Sequence, residues 1–172
     1  MSQISSPHDE WVMLSYRLPR EPSTPRISLW RRLKKVCVAQ VADGLVALPA
    51  DARTREQLEW AADYVVEHDG EASVWLARPA SAASARALAT AMRSARAEEY
   101  LELAAAARDA LTQERGERRR ALERLRRTRR QIGRRDYFPP VERDAAGESL
   151  RALEDSCALG ADVTDRSPEV AR

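Results

Sequence analysis

The chemistry this chain is best equipped for lies in one run of arginines. Between Arg115 and Arg135 there are 11 arginines against only Glu117 and Glu123, a net charge of +9. A guanidinium presents five donors in a planar fork and keeps its charge at any physiological pH, which suits it to phosphate. Drawn as a helix, the run puts arginine at 118, 119, 120, 124, 126, 127, 129 and 130, around most of the circumference. Leu122, Leu125 and Ile132 thread an apolar seam through it, so the helix is expected to be folded and packed rather than a disordered tail. Each phosphate that such a rod neutralises releases counterions, and binding strengthens as salt falls. Arg118, Arg119, Arg124, Arg126, Arg127 and Arg130 are the candidate phosphate contacts. The competing reading pairs the run with Glu98, Glu99, Glu102 and Asp109 on the preceding helix, four acids that are too few to neutralise it. Charge of this kind positions a polyanion; it does not read a sequence.

A second basic group comprises Arg26, Arg31, Arg32, Lys34 and Lys35. Arg31, Lys34 and Lys35 are candidates to extend the same surface; alternatively the group is the solvated outer face of a helix lying on a sheet. Elsewhere acids prevail. Residues 1–114 carry 14 basic and 16 acidic side chains, and residues 136–172 carry 4 arginines and 9 acids, which brings the whole chain to +2. This segregation points to a basic face for a polyanion and an acidic tail that screens it.

Other chemistry is not equipped for. His8 lies in a polar N-terminus and His68 at a helix end, where a protonated ring favours the dipole; neither has a ligand partner at metal spacing. There is no glycine-rich phosphate loop and no nucleophile elbow. Asp43 and Asp69 are explained as turn residues. No catalytic site, cofactor or metal is therefore expected, nor an enzyme. Cys37 and Cys157 form no paired motif, so neither a disulfide framework nor a thiolate site follows. Met1–Glu10 is too polar for a secretory signal, and no apolar run reaches the ~18 residues a membrane span needs. A cytoplasmic protein without membrane contact is the expectation.

The elements that must position these residues follow from patterning. Trp11–Leu18 reads as a strand stopped by Pro19. Thr24-Pro25 supplies an N-cap and a first-turn proline for a helix with Ile27, Trp30, Leu33 and Cys37 on one face. Val38–Val41 and Leu45–Leu48 are short strands joined by Asp43-Gly44. Thr54 to Gln57 reads as a capping box opening a helix striped by Leu58, Ala61, Ala62 and Val65, closed at Asp69-Gly70, and Glu71–Leu76 is a fourth strand. The order β-α-β-β-α-β predicts an α+β, ferredoxin-like domain over residues 11–79. Trp11, Trp30, Trp60 and Trp75 recur once per element, in positions suited to core or half-core packing. A helical extension over 80–157, a long basic α-helical hairpin, carries the arginine-rich helix 115–135. Its first helix has Leu88, Met92, Ala95, Glu99 and Leu103 on one face, Gly116 interrupts it, Gly133 ends the second, and Asp144–Cys157 is a last helix with Leu150 and Leu153 inward. Residues 1–10 and 158–172 read as disordered.

Several stretches resemble a known family. WVMLSYRLPREPSTPRISLWRRLKK (Trp11–Lys35), DGLVALP (Asp43–Pro49), TREQLEW (Thr54–Trp60), GEA (Gly70–Ala72) and RRDYFPP (Arg134–Pro140) are similar to the N-terminal domain of ChrB proteins, over about residues 11–155. The first part is more distantly similar to the central domain of PaaX-type repressors. The resemblance implies a chromate-responsive transcriptional regulator of an efflux operon, with DNA binding in the part this chain represents. Two departures matter. ChrB proteins carry a second, C-terminal domain, and this chain ends at Arg172 without it; if sensing needs that domain, the chain is expected to bind DNA without sensing or to depend on a separately encoded C-terminal partner. The family tends to have glycine after the lysine pair, where this chain has Val36-Cys37; Cys37 is then a small buried hydrophobe or an oxidation-sensitive thiol. Two functions compete. One is a stand-alone regulator that grips the DNA backbone, with the sheet domain offering a homodimer interface. The other is an accessory module that docks on a chromate-resistance partner and touches no nucleic acid.

Overall fold

The structure, a computed structural model, describes residues 10–159. His8 and nearly all of the terminal segments expected to be disordered lie outside the described residues, although the last helix runs on to Leu159.

An apolar, aromatic-rich run makes β1 of Trp11–Arg17, and its neighbours complete one antiparallel sheet. The elements are β1, α1 (Ser23–Val36), β2 (Ala39–Ala42), β3 (Leu45–Pro49), α2 (Ala52–Val66) and β4 (Glu71–Ala77). Sheet order is β2-β3-β1-β4, which is the split β-α-β, ferredoxin-like arrangement. Pairing sets Val12 beside Leu48 and Leu76, and Leu14 beside Val46 and Val74. Val12, Leu14, Val46 and Leu48 are all buried, as are Leu29 and Leu33 of α1 and Leu58, Ala61 and Val65 of α2. Gly44, at φ +71°, turns the β2–β3 hairpin, and Tyr16 N–H donates to its carbonyl at 2.7 Å.

Local details depart from the sequence expectation. Helix α1 starts at Ser23 behind Pro22, with no side-chain cap, so Pro25 is its third residue. Its inward face is Leu29 and Leu33, while Ile27 and Trp30 stay exposed. Helix α2 opens one turn earlier than Thr54. Asp51 caps it by accepting from Thr54 N–H at 2.7 Å, and Asp51 N–H donates to Thr54 Oγ1 at 3.0 Å. The Thr54 hydroxyl is buried because it also donates to Pro49 O at 2.6 Å.

Three long helices follow: α3 (Ala82–Ala110), α4 (Arg115–Gly133) and α5 (Glu142–Leu159). The chain divides into two compact units between Met92 and Arg93, within α3. The second unit packs three helices around one core. Its core joins Tyr100, Leu103, Ala104, Ala107 and Ala110 of α3 to Ala121, Leu122, Leu125 and Ile132 of α4 and Ala146, Leu150 and Leu153 of α5. Ala95 and Glu99, expected on the inward face of α3, give way to Arg96 and Tyr100 one position on. Helix α3 stops at Ala110, ahead of Gly116, which lies inside the first turn of α4. Among the described residues no helix is long and apolar enough to cross a membrane.

Candidate nucleic-acid interface

Arginine is a good helix former, and the sequence Arg115–Gly133 builds a regular helix whose seam, Leu122, Leu125 and Ile132, is buried as its spacing requires. Glu117 in the first turn and Arg130 in the last complement the helix dipole. Burying the seam sorts the arginines into two sets.

The first set is engaged by neighbouring parts of its own unit, although Arg126 is only half-buried and Arg129 stays exposed. Arg118 donates through Nη1 to Ser156 O at 3.3 Å and through Nη2 to Gln113 O at 3.0 Å. Arg126 pairs closely with Glu154 of α5 and lies 3.9 Å from Glu123; the Glu154 hydrogen bond holds its guanidinium further up than usual. Arg129 lies over Gly147, with Nη2 only 3.3 Å from the place a Cβ would take there. Arg135 donates to Glu99 at 3.0 Å. Two of the expected phosphate contacts, Arg118 and Arg126, therefore already have internal partners.

The second set faces away from the seam. Arg119, Arg120, Arg124, Arg127 and Arg130 are exposed, and none of them has a carboxylate partner among the described residues. At 1.5 Å per residue, Arg119 to Arg130 spans about 16 Å of helix. Four of the five, Arg119, Arg124, Arg127 and Arg130, are among the residues expected from the sequence; Arg120 joins them. The acids thought able to neutralise the run do not do so: Glu98, Glu102 and Asp109 enter no ion pair among the described residues, and Glu99 serves Arg96 and Arg135. The acid that matters, Glu154, comes from the following helix instead. Its seven-residue separation from Gly147 and the inward Leu150 and Leu153 beside it are the only signals that could have placed it on that face.

The α1 cations belong to the other unit. Arg31, Lys34 and Lys35 are exposed. Lys34 Nζ sits 5.2 Å from the Trp30 ring, and Arg32 lies 4.3 Å above Tyr64. Only Trp11 of the four tryptophans is in the core; Trp30, Trp60 and Trp75 are exposed, which patterning did not anticipate. Cys37 is half-buried and its thiol donates to Lys34 O at 3.4 Å. Among the described residues no cluster of His, Cys, Asp and Glu is placed to hold a metal.

A split β-α-β domain joined to a three-helix unit with one uncompensated cationic helix face is the class that this fold and surface define. The chain belongs to the ChrB N-terminal family: the family model described as Protein ChrB, N-terminal, matches residues 26–166. Protein ChrB of Cupriavidus metallidurans is 33% identical over 72 residues, which are 42% of this chain and 22% of that protein. The match thus spans about a fifth of that relative's length. No solved structure matches the chain.

Proposed function

We propose that this chain is a DNA-binding regulator of the ChrB kind, acting in the cytoplasm and linked to chromate resistance. The observation that carries the reading is the outward row Arg119, Arg120, Arg124, Arg127 and Arg130, which has no internal carboxylate among the described residues. Exposed guanidinium groups in a row along a rigid helix suit the phosphates of a duplex backbone, where each contact gains from counterion release. Contacts of this type fix position and leave the sequence to be read by other groups. Arg31, Lys34 and Lys35 supply a second cationic surface of the same chemistry. Arg118 and Arg126 serve to hold α4 to its neighbours.

Titration of the protein with duplex DNA at several salt concentrations tests this. Five phosphate contacts give a slope of log affinity against log salt of about −4.5, or roughly 500-fold weakening from 50 to 200 mM salt. Replacing Arg119, Arg127 and Arg130 together by alanine reduces that slope by about 2.7. An affinity that ignores salt, or that survives the triple substitution unchanged, removes the proposal.

A further inference from the structure

The two edges of the sheet are built differently. β2 is four residues long and carries a register irregularity between Gln40 and Ala42, features that blunt an edge against further pairing. β4 is the opposite. It pairs with β1 over all seven residues without a break, and among the described residues no strand lies on its outer side. Between Ala72 and Ala77 it has no charge, no proline and no bulge. Trp75 and Leu76, on opposite faces, are 58% and 54% exposed. A long, regular, apolar edge is a template for another strand.

The backbone direction says what fits it. Tyr16 N–H donates to Gly44 O on the β3 side, so the even-numbered residues of β1 turn their polar groups toward β3. The odd-numbered ones, Trp11 to Arg17, turn toward β4, where they face Glu71, Ser73, Trp75 and Ala77. Ala72, Val74 and Leu76 are left with N–H and C=O aimed out of the sheet. We infer that this edge takes the β4 of a second copy of the chain, antiparallel, about a two-fold axis at Val74. In that register Val74 meets Val74 of the second copy, Ala72 meets Leu76, and Ser73 meets Trp75, so every outward polar group finds a partner. The strand is also charge-complementary to itself. Asp69 and Glu71 stand at its start and Arg78, whose Nε lies 3.8 Å from the exposed Glu10, at its end, and the two-fold brings the acids of one copy beside Arg78 of the other. Parallel pairing would set like beside like. The inference is independent of the DNA reading, since association needs no arginine of α4.

Sedimentation of the full chain without DNA, from about 1 to 100 µM, tests it, the range in which a small interface associates. The expected result is a rise toward twice the chain mass. Of the sheet's hydrogen-bonding groups Val74→Pro removes only an outward N–H, which an edge strand tolerates, and Leu76→Lys installs the charge that protected edges use. Both variants should keep the wild-type circular dichroism and melting while weakening association more than tenfold. The register is read separately in a background with Cys37 and Cys157 replaced by serine. There Val74→Cys should form an intermolecular disulfide, because facing residues lie about 5.5 Å apart at Cα. Ser73→Cys should not, since its copies would lie about 8 Å apart. A chain that stays monomeric at 100 µM, a dimer unaffected by both edge variants, or a Ser73→Cys disulfide in place of the Val74→Cys one overturns the inference.

Discussion

The two units bury themselves by opposite means. The sheet unit relies on large side chains, with Trp11, Leu14, Leu29, Leu33, Leu48 and Leu58 all essentially inaccessible. The helical unit relies on small ones: Ala104, Ala107, Ala110, Ala121 and Ala146 make up much of its core, around Tyr100 and a few leucines. Charges follow the same division. In the first unit basic groups stay outside, stacked on rings or in solvent. In the second they enter: Arg96 is buried, and the Asp136 side chain is 1% exposed. Small residues let helices approach closely and leave little apolar thickness, so long arginine stems and a few ion pairs complete the packing. A core of that kind frees the outer face of α4 from any packing duty.

The contrast breaks most visibly under core substitution. Leu14→Ala opens a cavity in the sheet unit and should cost about 2–5 kcal/mol. Ala107→Leu overfills the contact between helices and should cost about 1–3 kcal/mol, whereas trimming the small core further has little left to remove. All four tryptophans, Trp11, Trp30, Trp60 and Trp75, lie in the sheet unit, so their fluorescence reports that unit alone during urea unfolding. Ellipticity at 222 nm weights the long helices. Leu14→Ala should move the fluorescence transition and Ala107→Leu the ellipticity transition. Coincident shifts in both would mean that the two cores unfold as one, and the contrast would lose its energetic meaning.

This division also explains what could be read from the sequence. Strand order, the Asp43-Gly44 turn and the α4 seam were legible because each depends on local geometry and periodicity. The inward face of α1 was not. Ile27, Trp30 and Leu33 keep helical spacing as well as Leu29 and Leu33 do, and only the sheet beneath decides between them. Thr54 looked like a cap because threonine caps helices, yet its hydroxyl is used for Pro49 O and for closing the box with Asp51. In α3 alanine on every side blurs the moment, so a frame shifted by one residue is equally apolar. The surface was half legible: the run of arginines announced itself, but which ones are spent internally depends on Glu154 and Ser156 from a helix about thirty residues on.

A smaller effect sharpens the contrast at high pH. Tyr100, buried in the helical core, donates its hydroxyl to Asp136 at 3.0 Å. Burial first, and then that hydrogen bond to a carboxylate, push its phenol from 10.0 up to about 12. A raised acid favours the neutral form in the folded state. The stabilisation is therefore complete below pH 10 and is lost as pH climbs from 10 toward 12. Alkaline unfolding of the helical unit should show that slope, and the tyrosinate absorbance of Tyr100 should lag behind ordinary tyrosines. Tyr100→Phe should remove the slope and cost about 1–3 kcal/mol at neutral pH, because Asp136 stays buried with one partner fewer. Equal alkaline slopes in the wild type and the variant would show that Tyr100 is not the group responsible.

The smallest expected change lies in the sheet unit and runs toward greater stability. Helix α1 ends in a Schellman turn, with Cys37 N–H donating to Lys34 O at 3.1 Å and Val38 N–H to Leu33 O at 3.4 Å. That closure places Cys37 in the left-handed region, at φ 61° and ψ 46°, where a Cβ is strained and glycine is not. Cys37→Gly should therefore stabilise the sheet unit by about 1 kcal/mol, a rise of several degrees in the melting of tryptophan fluorescence. Asp69 has nearly the same φ, 58°, but aspartate tolerates this region by bonding to its own backbone, so Asp69→Gly should gain only a few tenths. The pair of variants separates strain from packing. If Cys37→Gly destabilises while Asp69→Gly stays neutral, the half-buried thiol and its bond to Lys34 O contribute more than the turn loses to strain, and the cysteine is held there by its contacts.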